Sequence, residues 1–89
     1  MLVMWSPLLP VWTKPAAKQL AKLPRDARAQ VEASVNRYAA TGVGDIKALK
    51  GMPGILRLRT GNYRTKFTIL LTPSTMTILA VDDRKNAYD

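Results

Sequence analysis

The 89-residue sequence contains no cysteine and no histidine. Without cysteine there is no disulfide scaffold and no thiolate chemistry, which fits a reducing cytoplasm. With both absent, a zinc site would have to be built from carboxylates alone. A serine–histidine or cysteine–histidine triad is excluded. Acidic residues are scarce as well. Six Asp and Glu face fourteen Lys and Arg, giving a net charge of +8. No stretch approaches the roughly 20 apolar residues that a membrane span needs, so no membrane partner is expected. The apolar opening MLVMWSPLLPVW lacks a positive n-region, is interrupted by two prolines and is followed by no small-residue cleavage site. It therefore does not read as a signal peptide.

What is present is an ordinary globular composition, 47% hydrophobic, in a chain long enough for one modest core. One domain over residues 1–89 is expected, with Met1–Pro7 as a frayed lead-in and Leu8–Thr13 as a first strand. The excess of positive charge attracts polyanions over about 8 Å at physiological salt. Nucleic acid is the obvious partner. An acidic protein or an anionic surface also fits the charge, and so does a basic protein with no polyanion partner.

Thr13-Lys14-Pro15 is a helix start, with Thr13 as cap and proline in the first turn. Ala16, Ala17, Leu20 and Leu23 then share a helical face, and Pro24 ends the run. A second helix is predicted from about Arg25 to Ala40, on the apolar stripe Ala27, Val31, Val35 and Tyr38. Gly42 and Gly44 stop it. From there the period changes to alternation. Ile55–Thr60, Tyr63–Leu71 and Thr75–Val81 read as strands, separated by Gly61-Asn62 and by Thr72-Pro73-Ser74. The fold class is α+β: a short N-terminal strand, a helical hairpin and a three-stranded antiparallel meander.

Alternation also sorts the side chains. Leu56 and Leu58 face the helices, together with Tyr63, Phe67 and Ile69. Arg57, Arg59, Arg64 and Lys66 then crowd the open face, with Thr68. Like charges at cross-strand neighbours destabilise a sheet, so the cluster needs a reason, and an anionic ligand supplies one. A solvated strand face is the plain alternative. The sequence closes on Asp82-Asp83-Arg84-Lys85-Asn86-Ala87-Tyr88-Asp89. Arg84 and Tyr88 could fold back beside the strand cations, where Tyr88 would stack on a base or move a proton. Equally, Tyr88 could anchor a short tail.

Taken together, four segments resemble the RelE/ParE toxin family. They are K-Q-L-A-K-L-P at the end of the first helix, A-L-K-G-M-P-G at Ala48–Gly54, R-L-R-T-G-N-Y-R at Arg57–Arg64 and V-D-D-R-K-N-A-Y at Val81–Tyr88. The match spans about Leu8 to Tyr88. It implies the fold derived above and a toxin neutralised by an acidic antitoxin. RelE-like members cut mRNA in the ribosomal A site. ParE-like members inhibit DNA gyrase and lack nuclease chemistry. An inactive, RNA-binding member is a third reading.

For a RelE-like enzyme the resemblance implies a catalytic set of Arg64, Arg84 and Tyr88. Arg57, Arg59, Lys66 and Lys85 would hold RNA phosphate. It implies attack by a ribose 2′-hydroxyl on the adjacent phosphate, leaving a cyclic phosphate, with no metal or small-molecule cofactor. Two departures stand out. Asp83 occupies the place where many members carry histidine, and the strand lysines of RelE are Arg57 and Arg59 here. Arginine, with a pKa above ~12, does not readily release a proton. The phosphate-binding half of the site is intact, and proton transfer falls to Tyr88.

Overall fold

Thr13 joins three elements of the computed structural model, which describes residues 5–83. It follows β1 (Leu9–Trp12) and caps α1 (Lys14–Ala21), accepting a hydrogen bond from the Ala16 amide at 3.4 Å. Its own hydroxyl donates to the Ile78 carbonyl at 2.8 Å. Its amide donates to the same carbonyl at 3.1 Å. One short polar residue thus ends a strand, starts a helix and ties both to the last strand. Helix α2 (Arg25–Thr41) follows and ends at Gly42 in the left-handed conformation, φ 76°. A Cβ at Gly42 would lie 2.5 Å from the Trp5 ring, so glycine is required for space as well as for φ.

Strands β2 (Asp45–Ala48), β3 (Leu56–Thr60), β4 (Tyr63–Leu71) and β5 (Ser74–Asp83) complete one five-stranded sheet. The spatial order is β1-β5-β4-β3-β2. β1 runs parallel to β5, and the other three pairings are antiparallel. Both helices cover one face. There Ala16, Val31, Val35, Tyr38 and Ala39 pack on Leu58, Phe67, Met76, Ile78 and Val81. No helix among the described residues is long and apolar enough to cross a membrane.

Three features depart from the sequence reading. β2 is an additional strand. It is only four residues long, its Asp and Ala are poor strand formers, and only one neighbour supports it, so its pattern is weak. Part of the stretch expected to fray is held. The Trp5 indole donates to the Ala39 carbonyl at 3.0 Å and meets Tyr38 edge-on at 5.3 Å. Finally, β5 extends through Asp82 and Asp83, which the sequence reading placed beyond the last strand.

A bulge makes that extension possible. Lys66 sits opposite Ala80, but Phe67 sits opposite Ile78, so β5 carries one extra residue at Leu79. Strict alternation from Met76 and Ile78 would turn Asp82 into the core. The extra residue sends Val81 inward and Asp82 outward. Helix α1 supports the bulge from the core side. Gln19 Oε1 accepts the Val81 amide at 2.7 Å, and the Thr13 hydroxyl also reaches the Leu79 carbonyl at 3.3 Å.

Thr65 lies between Leu58 and Val81 on the core face and is fully buried. Its hydroxyl has no hydrogen-bond partner among the described residues. A buried unsatisfied hydroxyl costs about 1–3 kcal/mol. Thr65→Val keeps the shape and removes that cost. Stability is expected to rise by about 1 kcal/mol, read as a midpoint 4–8 °C higher in thermal unfolding, roughly the shift for a domain of this size.

Candidate nucleic-acid interface

The strand register arranges the face away from the helices as two rows. One row is Asp45, Arg59, Arg64 and Asp82; the next is Lys47, Arg57, Lys66 and Ala80. Cross-strand partners share a face. Neighbouring strands are about 4.8 Å apart, and alternate residues about 6.8 Å apart along a strand. Five cations and two acids therefore share a small grid with an excess of three positive charges. Arg57 is opposite Lys66, and Arg59 is opposite Arg64. Each like-charge pair costs a few tenths of a kcal/mol up to about 1.

The two acids soften that repulsion along diagonals. Asp45 Oδ1 lies 3.4 Å from Arg57 Nη1, and the same nitrogen donates to the Asp45 carbonyl at 3.3 Å. Asp82 Oδ2 lies 3.2 Å from Lys66 Nζ, with both side chains about a fifth exposed. Both acids flank the cations and brace them. Asp82 does so only because the β5 bulge turns it outward.

The cations differ in character. Arg57 and Arg64 are 6% and 8% exposed, so neighbouring side chains fix them in place. Arg59 is exposed, and its Nε reaches the Gly61 carbonyl only at 3.5 Å. Two buried guanidinium groups beside an exposed one suit recognition of a phosphate, because arginine presents a planar fork of donors.

The structure thus gathers Arg57, Arg59, Arg64 and Lys66 on one face, as the alternation predicts, although two of them are more buried than a solvated face would leave them. It adds Lys47 and Asp45, which could be found only by recognising the alternation of Asp45-Ile46-Lys47-Ala48. It also moves Asp82 onto the face. Arg84, Lys85 and Tyr88 lie outside the described residues. Tyr38 serves the core: its ring packs at steep angles between Trp5 and Phe67, and burial pushes its phenol above its usual pKa, so it remains protonated.

No protein-family model matches the chain, and no curated protein matches it. Solved structures do. The fold is that of RelE toxins, to which the chain is similar over most of its length. In particular, it is similar to a chain of the RelBE2 toxin–antitoxin complex from Mycobacterium tuberculosis, at 29% identity and a TM-score of 0.74, over 90% of this chain and 94% of that one. A chain of the archaeal RelE–RelB complex from Pyrococcus horikoshii shares the fold at a TM-score of 0.75 and 20% identity, over 92% of this chain and 100% of that one. The isolated RelE toxin from E. coli does so at 0.71 and 18%, over 90% and 87%.

Proposed function

We propose that the chain is the toxin of a type II toxin–antitoxin pair and an endoribonuclease that cuts ribosome-bound mRNA. The observation that carries this reading is the grid of Lys47, Arg57, Arg59, Arg64 and Lys66 on one sheet face, with two of its guanidinium groups buried and held. Cations fixed before substrate arrives stabilise charge as it develops on phosphorus, without having to reorganise. The reaction is attack by the 2′-hydroxyl on the adjacent phosphate, releasing a 5′-hydroxyl and leaving a 2′,3′-cyclic phosphate. Arg64 and Arg84 stabilise the transition state, Tyr88 moves the proton, and Arg57, Arg59, Lys66 and Lys85 hold the strand. An acidic antitoxin is the matching protein partner, and the site is expected to work in the cytoplasm.

A second reading, a gyrase inhibitor that acts by binding, is favoured by the Lys66–Asp82 pair at 3.2 Å and by the absence of histidine. A carboxylate on the face opposes phosphate, and no imidazole is available to move a proton. Induction followed by side-by-side measurement of amino-acid and thymidine incorporation separates the two. Translation is expected to stop within minutes while DNA synthesis continues. The opposite order supports the gyrase reading, and no growth effect defeats both.

Asp82 also gives a graded test. Asp82→Asn removes a negative charge from the face and releases Lys66. Affinity for a short single-stranded RNA is expected to rise by roughly threefold to tenfold at low salt, with the gain shrinking as salt is added. Fluorescence anisotropy across a salt series measures it.

A further inference from the structure

The sheet face does not account for most of the charge. Among the described residues, the two helices and the Lys22 cap of α1 carry six cations (Lys14, Lys18, Lys22, Arg25, Arg28, Arg37) against Asp26 and Glu32. Strands β2–β5 and their turns carry six cations against three acids. The surplus is larger on the helical layer, opposite the proposed site.

It is also ordered there. Lys14, Lys18 and Lys22 recur every four residues along α1 and its cap, and all three are exposed. Each is two positions from the inward-facing Ala16 or Leu20, so they form a ridge on the solvent side. Arg25 is exposed at the start of α2, just beyond the ridge. α1 contains no acidic residue, and none of these four cations pairs with an acid among the described residues. The arrangement has a local cost. Like charges four residues apart destabilise a helix by about 0.2–0.5 kcal/mol per pair. Lys14 adds a cation to the first turn, where the helix dipole disfavours one.

We propose that this lysine ridge is a second nucleic-acid contact, which grips the phosphate backbone of double-stranded RNA. Four residues of helix rise about 6 Å and turn about 40° beyond a full circle, so the three lysines form a slowly winding row about 12 Å long along the axis. That spacing is comparable to the separation of successive phosphates along one strand of a regular duplex. The ridge has no aromatic residue on which an unpaired base could stack. A row of point charges without a stacking platform reads backbone shape, which is how duplex RNA is recognised. The protein then has two RNA surfaces on opposite layers, one for a strand to be cut and one for structured RNA that positions it. The inference rests on the proposed reading only in taking RNA as the partner.

The test is a triple variant, Lys14→Gln, Lys18→Gln and Lys22→Gln, in the full chain. Glutamine keeps helix propensity, so thermal unfolding is expected to be unchanged or slightly improved. Binding is read by fluorescence anisotropy with an RNA duplex of about 16 base pairs and with a single-stranded RNA of similar length. Duplex affinity is expected to fall about tenfold or more, and the slope of log affinity against log salt to become shallower by about 2–3. Single-strand affinity is expected to change less than about twofold, the order of a nonspecific charge effect. The control removes the same charge elsewhere, as Arg28→Gln, Arg37→Gln and Lys50→Gln. An equal loss in the control overturns the ridge in favour of bulk charge. So does unchanged duplex binding, or an equal or greater loss on a DNA duplex of the same sequence. A wild-type protein that fails to bind single-stranded RNA defeats the sheet-face reading, while the duplex result still decides the ridge.

Discussion

Arg64→Ala is expected to slow RNA cleavage about 10²–10³-fold, the cost of removing one preorganised donor from a charge-stabilising site. Arg64 occupies the middle of its row, between Arg59 and Asp82, and is only 8% exposed. Its neighbours hold the guanidinium where the phosphate is expected, so no other side chain can replace it without moving. The effect on stability is much smaller. The substitution loses the packing of the arginine stem, but it also removes the like charge opposite Arg59. A folded, nearly inactive variant is therefore expected. Arg64→Lys keeps the charge and loses the planar fork, so it should fall between the two. Cleavage of ribosome-bound message, with unfolding followed by circular dichroism, tests both points. Full toxicity in Arg64→Ala would falsify the assignment of the face.

Phe67→Ala has the opposite signature, with stability lost first. Phe67 is fully buried, and its ring lies 5.3 Å from that of Tyr38 at an interplanar angle of 58°. It sits opposite Ile78, immediately beside the β5 bulge. Truncating a buried phenylalanine typically costs about 3–5 kcal/mol. A small domain has on the order of 5–15 kcal/mol in all. The midpoint of thermal unfolding is expected to fall by on the order of 20 °C. Loss of packing beside the bulge also loosens the register that turns Asp82 outward. Toxicity should disappear at 37 °C and return in part at low temperature. A midpoint within a few degrees of wild type would show that the core is organised around some other residue.

These two positions also show what was legible in the sequence. Leu56-Arg57-Leu58-Arg59, followed by a Gly61-Asn62 turn, places arginines and leucines on opposite faces by alternation alone, and the structure agrees. The Thr13 cap and the Gly42 stop are equally local, and both are present. The features that were hidden are non-local. β2 exists because β3 offers it an edge, and Lys47 reaches the cationic grid only through that pairing. The β5 bulge depends on Gln19 and Thr13, which lie more than sixty residues earlier in the chain. No pattern within Thr75–Val81 marks Leu79 as extra. That is why Asp82 was read as tail and proves to be a paired member of the face.

The parallel pairing of β1 with β5 has a consequence for how the protein is made. Leu9 lines up with Thr75, and Trp12 with Ile78, so the first strand of the sheet waits for the last. Pairings this distant in sequence are slow to close. During synthesis the N-terminal strand has no partner until translation has passed Ile78, and the cap at Thr13 lacks its carbonyl until then. The cationic grid depends on the same last strand, because Asp82 joins its row only once β5 has paired with β4.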